Sequence, residues 1–485
     1  MARPDHLEAG VGRTTELVEL PLVVDRRADR DLRQQVAEQL RQAIRAGSFA
    51  PEARMPSSRA LADHLGVSRA TVVAALAELD GEGWVESRHG SGTYVTAGIA
   101  AGQLEPTIDP HGPSVAAAVE ATAGGRQLID LEPGRADTSG LVDPAWRRAW
   151  REASSEQLTT AELPAAGLLP FREALAEHVR RTRGILCRPD QVVVTAGTGD
   201  ALRLLADAYD VAGLTALVEE PGYPSAREIL TLAGARLHPV AVDEDGLVVD
   251  DLPAAPADTR LLYVTPSHQY PLGGRLPVER RLAVLQWTRE RQALVVEDDY
   301  DSEFRFGAAP VPALASLDTA GRVAYVGTLS KVMSQGLRVA YVVASGELVD
   351  AVLAIRRPLG MPVSEVVQRA MATYVGTGGL RRHVARQRRI YAERRARLVR
   401  RLGGLGGVRA VSGLDAGLHA AISLTSDRDG AAVVAAAAQV GVAIVDLDFY
   451  RLTPDPARPG FVLGYGHVTA ADLDRALDRL TEILR

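Results

Sequence analysis

The stretch Val323-Ala324-Tyr325-Val326-Gly327-Thr328-Leu329-Ser330-Lys331 decides the fold. Its apolar start reads as a buried strand, and Lys331 falls in the turn just past the strand's end. Lys331 is also the only lysine in 485 residues, so 54 of the 55 Lys+Arg residues are arginine. Arginine replaces lysine wherever a solvated positive charge suffices, but a guanidinium stays protonated and cannot act as an amine nucleophile. A lone lysine is therefore a candidate for amine chemistry, above all a Schiff base with a carbonyl. Chance survival in an arginine-rich composition is the alternative, and the neighbourhood must decide.

Further apolar runs at 192–194, 216–218, 261–264 and 294–296 alternate with amphipathic helical segments from about residue 130 onward. Short strands alternating with helices predict βαβ units, an α/β fold and a mainly parallel sheet. Ligands of such sheets bind beyond the carboxyl ends of the strands, so the polar endings of these runs should converge on one crevice. The length allows two or three domains, with 46% hydrophobic residues to fill their cores. A net charge of -6 argues against a chain coated all over by nucleic acid but permits a local basic face. The single cysteine, Cys187, permits no internal disulfide and fits a reducing compartment. No apolar run reaches the length of a membrane span and the polar start lacks a signal-peptide core, so the expected location is the cytoplasm.

The run ending at 296 continues as Glu297-Asp298-Asp299-Tyr300-Asp301-Ser302-Glu303-Phe304. Three aspartates at a strand end could hold magnesium or form an acidic surface. A partner for a pyridinium nitrogen fits better, because a carboxylate there keeps the ring of pyridoxal phosphate protonated and electron-withdrawing. The phosphate of such a cofactor wants backbone amides at a helix start, hydroxyls and an arginine. Gly197-Thr198-Gly199 supplies the first, while Thr328, Ser330 and Arg338 flank the lysine. Tyr223 could cover a ring face by stacking, or simply anchor its turn.

The front of the chain is different. Residues 32–46 place Val36, Leu40 and Ile44 on one helical face, and Gly47 ends the run. Ser57 or Ser58 can cap a second helix that stops at Gly66, and Ser68 can cap a third beginning at Arg69. The short link between the last two is a helix-turn-helix signature. Val72, Leu76 and Leu79 then face a core, leaving Arg69 and Thr71 outward, where a recognition helix meets DNA. Two strand-like pieces around Arg88-His89-Gly90-Ser91 suggest a small wing. Residues 30–97 carry 8 arginines and 8 acids, so net charge does not separate a DNA reader from a plain packing module. Placement favours DNA, since Arg54, Arg59 and Arg69 stand against Asp63 alone.

These residues resemble known families. The segment AGSFAPEARMPSSRALADHLGVSRATVVAALAELDGEGWVESRHGSGTYV is similar to the winged-helix domain of GntR-type bacterial regulators. That resemblance implies operator DNA as partner, touched by Arg59, Ser68, Arg69, Thr71 and Gly90. The segments VTPSHQYPLG, EDDYDSEFRF and GTLSKVMSQGLRVAY resemble the fold type I aminotransferases. In combination and order, all three parts are similar to the MocR (GabR-like) regulators. The implied architecture is a winged helix at 20–96, a linker at 97–127 rich in Ala and Gly with spaced prolines, and an aminotransferase-like domain at 128–485. The resemblance further implies that Lys331 bears pyridoxal 5'-phosphate as an aldimine and Asp298 faces its pyridine nitrogen. By the same inference Tyr300 meets the ring hydroxyl, Tyr223 stacks, and Thr328, Ser330 and Arg338 take the phosphate. It implies a homodimer and a sensor of an amine or amino acid, or of the cofactor itself, acting by exchange at Lys331. An active aminotransferase with an appended DNA-binding module is the alternative.

Two departures accompany it. Typical aminotransferases place an asparagine before the Pro-x-Gly turn, whereas this chain has Tyr270 before Pro271-Leu272-Gly273 and no asparagine at all. His268 or Tyr270 are the candidate substitutes, and the change favours sensing over rapid turnover. The arginine expected to bind an effector carboxylate is ambiguous between Arg451 and Arg458. Finally, residues 381–401 hold 10 arginines against Glu393, which reads as a long helix with a solvated face joining the large and small subdomains, or as a second contact surface for phosphates.

Overall fold

The computed structural model describes residues 24–25, 31–45, 47–88, 91–97, 128–306 and 311–485. The expected linker, apart from Ala97, and Gly90 lie outside the described residues. The chain divides into two compact units, up to residue 112 and from residue 113 on.

The first unit has three helices, α1 (Leu32–Arg45), α2 (Ser58–Leu65) and α3 (Arg69–Gly81), and a hairpin of β1 (Val85–Arg88) with β2 (Gly92–Val95). Local chemistry sets the helix ends. Ser57 Oγ accepts from the Ala60 N–H at 3.2 Å and Ser68 Oγ from the Thr71 N–H at 3.1 Å, which satisfies amides the helices leave open. Gly66 closes α2 in the left-handed conformation, at φ 61°. Val36, Leu40, Ile44, Leu61, Val72, Leu76 and Leu79 share one core, as the helical spacing predicts, joined by Val85 and Val95 from the hairpin.

The second unit is built on an eight-stranded sheet. Its strands are β4 (Val192–Thr195), β5 (Thr215–Glu220), β6 (Arg236–Asp243), β7 (Gly246–Leu247), β8 (Thr259–Val264), β9 (Leu294–Asp299), β10 (Val323–Thr328) and β11 (Ala340–Val343). Their order is β4-β11-β10-β9-β8-β5-β6-β7, and the pairings from β10 through β6 are parallel. Because β11 is antiparallel to both its neighbours, β4 and β10 run the same way. Helices cover both faces. Val192 and Val194 face one core cluster while Val193 faces another, and Tyr325 likewise points away from Ala324 and Val326. Two-sided burial explains why these strands are apolar runs and not alternating patterns. A second sheet, antiparallel, comprises β12 (Val408–Ser412), β13 (His419–Leu424), β16 (Gly460–Gly464) and β15 (Val445–Asp446). Strand β3 (Ile129–Asp130) pairs with β14 (Val442–Ala443), tying the start of this unit to its end. Among the described residues no single helix is long and apolar enough to cross a membrane.

The arginine run forms the helix Gly379–Leu402. Much of it is not a free solvated face. Arg386 binds Asp143 at 2.8 Å, Arg394 binds Asp137 at 2.7 Å, Arg397 binds Asp474 at 2.6 Å, and Arg401 pairs with Asp478. The helix therefore fastens the beginning of the unit to its C-terminal helix, Ala470–Leu484. Leu79 is fully buried in the first unit's core. Leu79→Ala should destabilise that unit by about 2–5 kcal/mol, and pulse proteolysis in urea should show it opening earlier with the larger unit unchanged.

Candidate functional site

The parallel strands end on one side, and their continuations meet in a single cavity. Thr198 follows β4, Tyr223 follows β5, Tyr263, Thr265 and Tyr270 come from β8 and its loop, Asp298 and Tyr300 from β9, and Lys331 from β10. The register places Val326 opposite Asp298, so the turn after Thr328 carries Lys331 over the carboxylate.

Asp298 is buried, and Tyr263 Oη donates to its Oδ2 at 2.5 Å. Its Oδ1 has no hydrogen-bond partner among the described residues. Burial raises the Asp298 carboxyl to about 7, opposed by the Tyr263 bond. Lys331 Nζ donates to the Gly134 carbonyl at 2.9 Å. Burial lowers the Lys331 pKa, and Asp298 and Asp301 only partly offset it. A buried amine with a lowered pKa retains more of its nucleophilic neutral form.

The neighbouring aspartates are already committed. Asp299 points to the other face of the strand, with Arg183 Nε 2.5 Å away and Tyr325 Oη donating at 2.7 Å. Asp301 Oδ2 lies 2.8 Å from His268 Nδ1, which is 3.0 Å from Tyr300 Oη. The three carboxylates therefore do not converge as one magnesium site. His268, Asp301 and His419 have ligand atoms within 4.8 Å of one another, yet His268 Nδ1 contacts Asp301 and Tyr300, and His419 Nε2 bonds the Pro271 carbonyl at 3.0 Å.

Gly197 precedes the helix Thr198–Ala208. Gly197 has φ 116°, and a Cβ there would sit 3.5 Å from the Arg338 guanidinium. A side chain would fill the space between the helix start and Arg338, a cradle suited to a phosphate. Arg338 is exposed, has no carboxylate partner among the described residues and, like Gly197 and Gly199, lies outside the lining of the Lys331 cavity beside its lining residue Thr198. Thr328 Oγ1 accepts from the Ser330 N–H at 3.1 Å; both shape the lysine turn without lining the cavity. Gly199 packs near Ile229.

Other expected residues separate. Tyr270 lines the cavity, 5.8 Å from the Tyr223 ring and 5.4 Å from the Tyr300 ring. His268 stands behind Tyr300, outside the cavity lining, with its Nδ1 3.0 Å from Tyr300 Oη. Arg451 and Arg458 also lie off the cavity lining. Arg451 pairs with Asp448 and donates to the Arg458 carbonyl at 2.9 Å, whereas Arg458 is exposed beside Asp455. Gly134, Tyr263 and His419 join the site unannounced by the sequence. Gly134 has φ 94°, and a Cβ would come 2.5 Å from Lys331 Nζ, so glycine is required there. In the first unit, Arg59 and Arg69 are exposed, and Arg69 Nε contacts Ser58 Oγ at 3.3 Å. Ser68 and Thr71 hydroxyls bond each other at 2.8 Å.

Comparison with known proteins agrees with this two-part design. Residues 126–480 match aminotransferase class I and II, and residues 32–95 match bacterial regulatory proteins of the gntR family. The chain is 36% identical to the HTH-type pyridoxine biosynthesis transcriptional regulator PdxR of Corynebacterium glutamicum, covering 93% of this chain and 95% of that one. It is 34% identical to the probable rhizopine catabolism regulatory protein MocR of Rhizobium meliloti, covering 95% of each. An archaeal alanine:glyoxylate aminotransferase superposes with a TM-score of 0.70 at 24% identity, over 76% of this chain and 95% of that one. LysN of Thermus thermophilus, solved with a phosphopyridoxyl-leucine adduct, gives 0.66 at 25% identity over 74% and 92%. A DNA-binding transcriptional regulator with a fold type I aminotransferase-like domain is the class so defined. The chain belongs to the MocR-type subfamily of GntR regulators.

Folding raises the pKa of Asp298 from 3.8 to about 7. Its favourable contribution to stability is therefore full below about pH 4 and is lost as pH rises toward 7. In cofactor-stripped protein, Asp298→Asn should gain on the wild type over that window, by up to roughly 4 kcal/mol. Urea midpoints measured against pH would show this; a constant gap between the two proteins contradicts it.

Proposed function

We propose that this regulator holds pyridoxal 5'-phosphate through Lys331 and senses an amino compound at that site. The observation that carries the proposal is the buried Asp298, which lines the same cavity as Lys331 and has an Oδ1 without a hydrogen-bond partner among the described residues. When bound, the cofactor supplies an electrophilic carbon that exchanges one amine for another, and a ring that withdraws electrons. Lys331 provides the amine, its pKa lowered by burial. Asp298 holds a proton at the ring nitrogen, with Tyr263 fixing its orientation. Arg338 and the amides at Gly197, Thr198 and Gly199 receive the phosphate, while Thr328 and Ser330 hold the lysine turn. Tyr223 covers a ring face, and Tyr300 meets the ring hydroxyl with His268 and Asp301 behind it. Arg59, Ser68, Arg69 and Thr71 contact the operator, and effector binding changes operator affinity.

Sensing is favoured over rapid turnover because Tyr270 occupies the place before Pro271 and the chain has no asparagine to donate there. A second reading, that cofactor level itself is the signal, is favoured by the name of the Corynebacterium relative, a regulator of pyridoxine biosynthesis. A homodimer is also proposed, so light scattering should give twice the 51.6 kDa chain mass.

Visible absorbance and operator binding, recorded on the same sample with and without a panel of amines, test these readings together. Wild-type protein should show the lysine-bound cofactor band and Lys331→Arg should not. An amine that shifts both the band and operator affinity supports sensing. A response to cofactor alone supports the second reading, and steady multiple turnover with an amino acid and a keto acid would establish an aminotransferase instead. Arg69→Ala should weaken operator binding by about 10- to 100-fold, the effect of losing one base or phosphate contact, with the band unchanged.

A further inference from the structure

Away from the Lys331 cavity, a second cavity of about 880 Å³ opens between the helix Leu169–Arg183, the segment after β9 and the start of the helix Gly379–Leu402. Its walls carry five arginines, Arg181, Arg183, Arg305, Arg381 and Arg388, against two glutamates. Both glutamates are already paired. Glu177 binds Arg180 at 2.7 Å and also pairs with Arg181, and Glu303 binds His178 at 2.9 Å. Arg183 is spent on Asp299 and Ser267. That leaves Arg305, Arg381 and Arg388 with no carboxylate partner among the described residues. Among the described residues Arg388 uses its Nε, on the Glu303 carbonyl at 2.5 Å.

Arg305 is the least comfortable of the three. It is half-buried, and burial together with the Arg183 and Arg388 charges lowers its pKa despite Asp299 and Glu303. A guanidinium withdrawn from water normally gains a carboxylate or phosphate in exchange. The helix beginning at Gly379 adds to the positive potential, since Gly378 offers no side-chain cap and no acid lies in the first turn.

We propose that this cavity binds a small oxyanion of the phosphate-ester class, held by Arg305 with Arg381 and Arg388. The three guanidiniums come from two elements around a concavity, which suits a compact anion better than an extended duplex. The site would report a second, anionic metabolite to the regulator. It is independent of the cofactor reading, because Arg338 and the Gly197 cradle share no residue with it.

Inorganic pyrophosphate serves as the probe, titrated calorimetrically into the full-length chain at constant ionic strength, with sodium chloride as control. The Arg338→Gln background removes the cofactor cradle as a competitor. Saturable binding should persist in that background and weaken at least tenfold when Arg305→Gln is added, with unchanged circular dichroism and thermal midpoint. Arg305→Lys, which keeps the charge, should retain part of the affinity. Three results would overturn the proposal: no heat beyond the chloride control, loss in Arg338→Gln with retention in Arg305→Gln, or displacement of pyrophosphate by duplex DNA lacking an operator.

Discussion

Asp298 is buried with one carboxylate oxygen bonded to Tyr263 and the other bonded to nothing among the described residues. An ionised group in that position is costly unless a cationic partner arrives. The surrounding site is arranged to receive one. Lys331 is close enough to feel the charge but spends its hydrogen bond on Gly134 instead. The proposed cofactor supplies such a partner in its protonated ring nitrogen, a better fit to Asp298 than a metal or an acidic surface. The companion aspartates sharpen the point, because Asp299 and Asp301 have found Arg183 and His268 within the protein.

Charge pairing by arginine recurs through the larger unit. Arg386, Arg394, Arg397 and Arg401 fasten the helix Gly379–Leu402 to its neighbours, and Arg183 reaches Asp299 at the strand end that carries Asp298. With one lysine in the chain, structural ion pairs draw on guanidiniums, with histidine at Asp301 and Glu303, and the one lysine side chain lies in the cavity. Structural and chemical positive charge are thereby divided between two residue types. Arg305 and Arg388 depart from this pattern of pairing, and that departure directs attention to the second cavity.

Much of the architecture was legible because its signals are local. Ser57, Ser68 and Gly66 mark helix ends through bonds within four residues, and the apolar runs at 192–194 and 323–326 mark strands buried on both faces. The site was legible where a residue sits at the end of such a strand, as Asp298, Tyr300 and Lys331 do. Gly134, Tyr263 and His419 carried no such mark. Lys331 meets Gly134 across 197 residues, and Tyr263 meets Asp298 only because β8 lies beside β9. His268 was legible as a polar residue in the right loop, but its place behind Tyr300 depends on Asp301.

The sequence by itself determined the two kinds of unit, the strand–turn–lysine motif, the helix caps of the DNA-reading part and the identity of the amine. Each of these follows from composition or from contacts a few residues apart. Only the tertiary structure decided which carboxylate stays unpaired, which arginines are consumed by partners, and that Arg451 and Arg458 stand away from the Lys331 cavity. Those outcomes depend on sheet order and on helices packed across hundreds of residues, where burial and neighbouring charge, not residue type, set what a side chain is free to do.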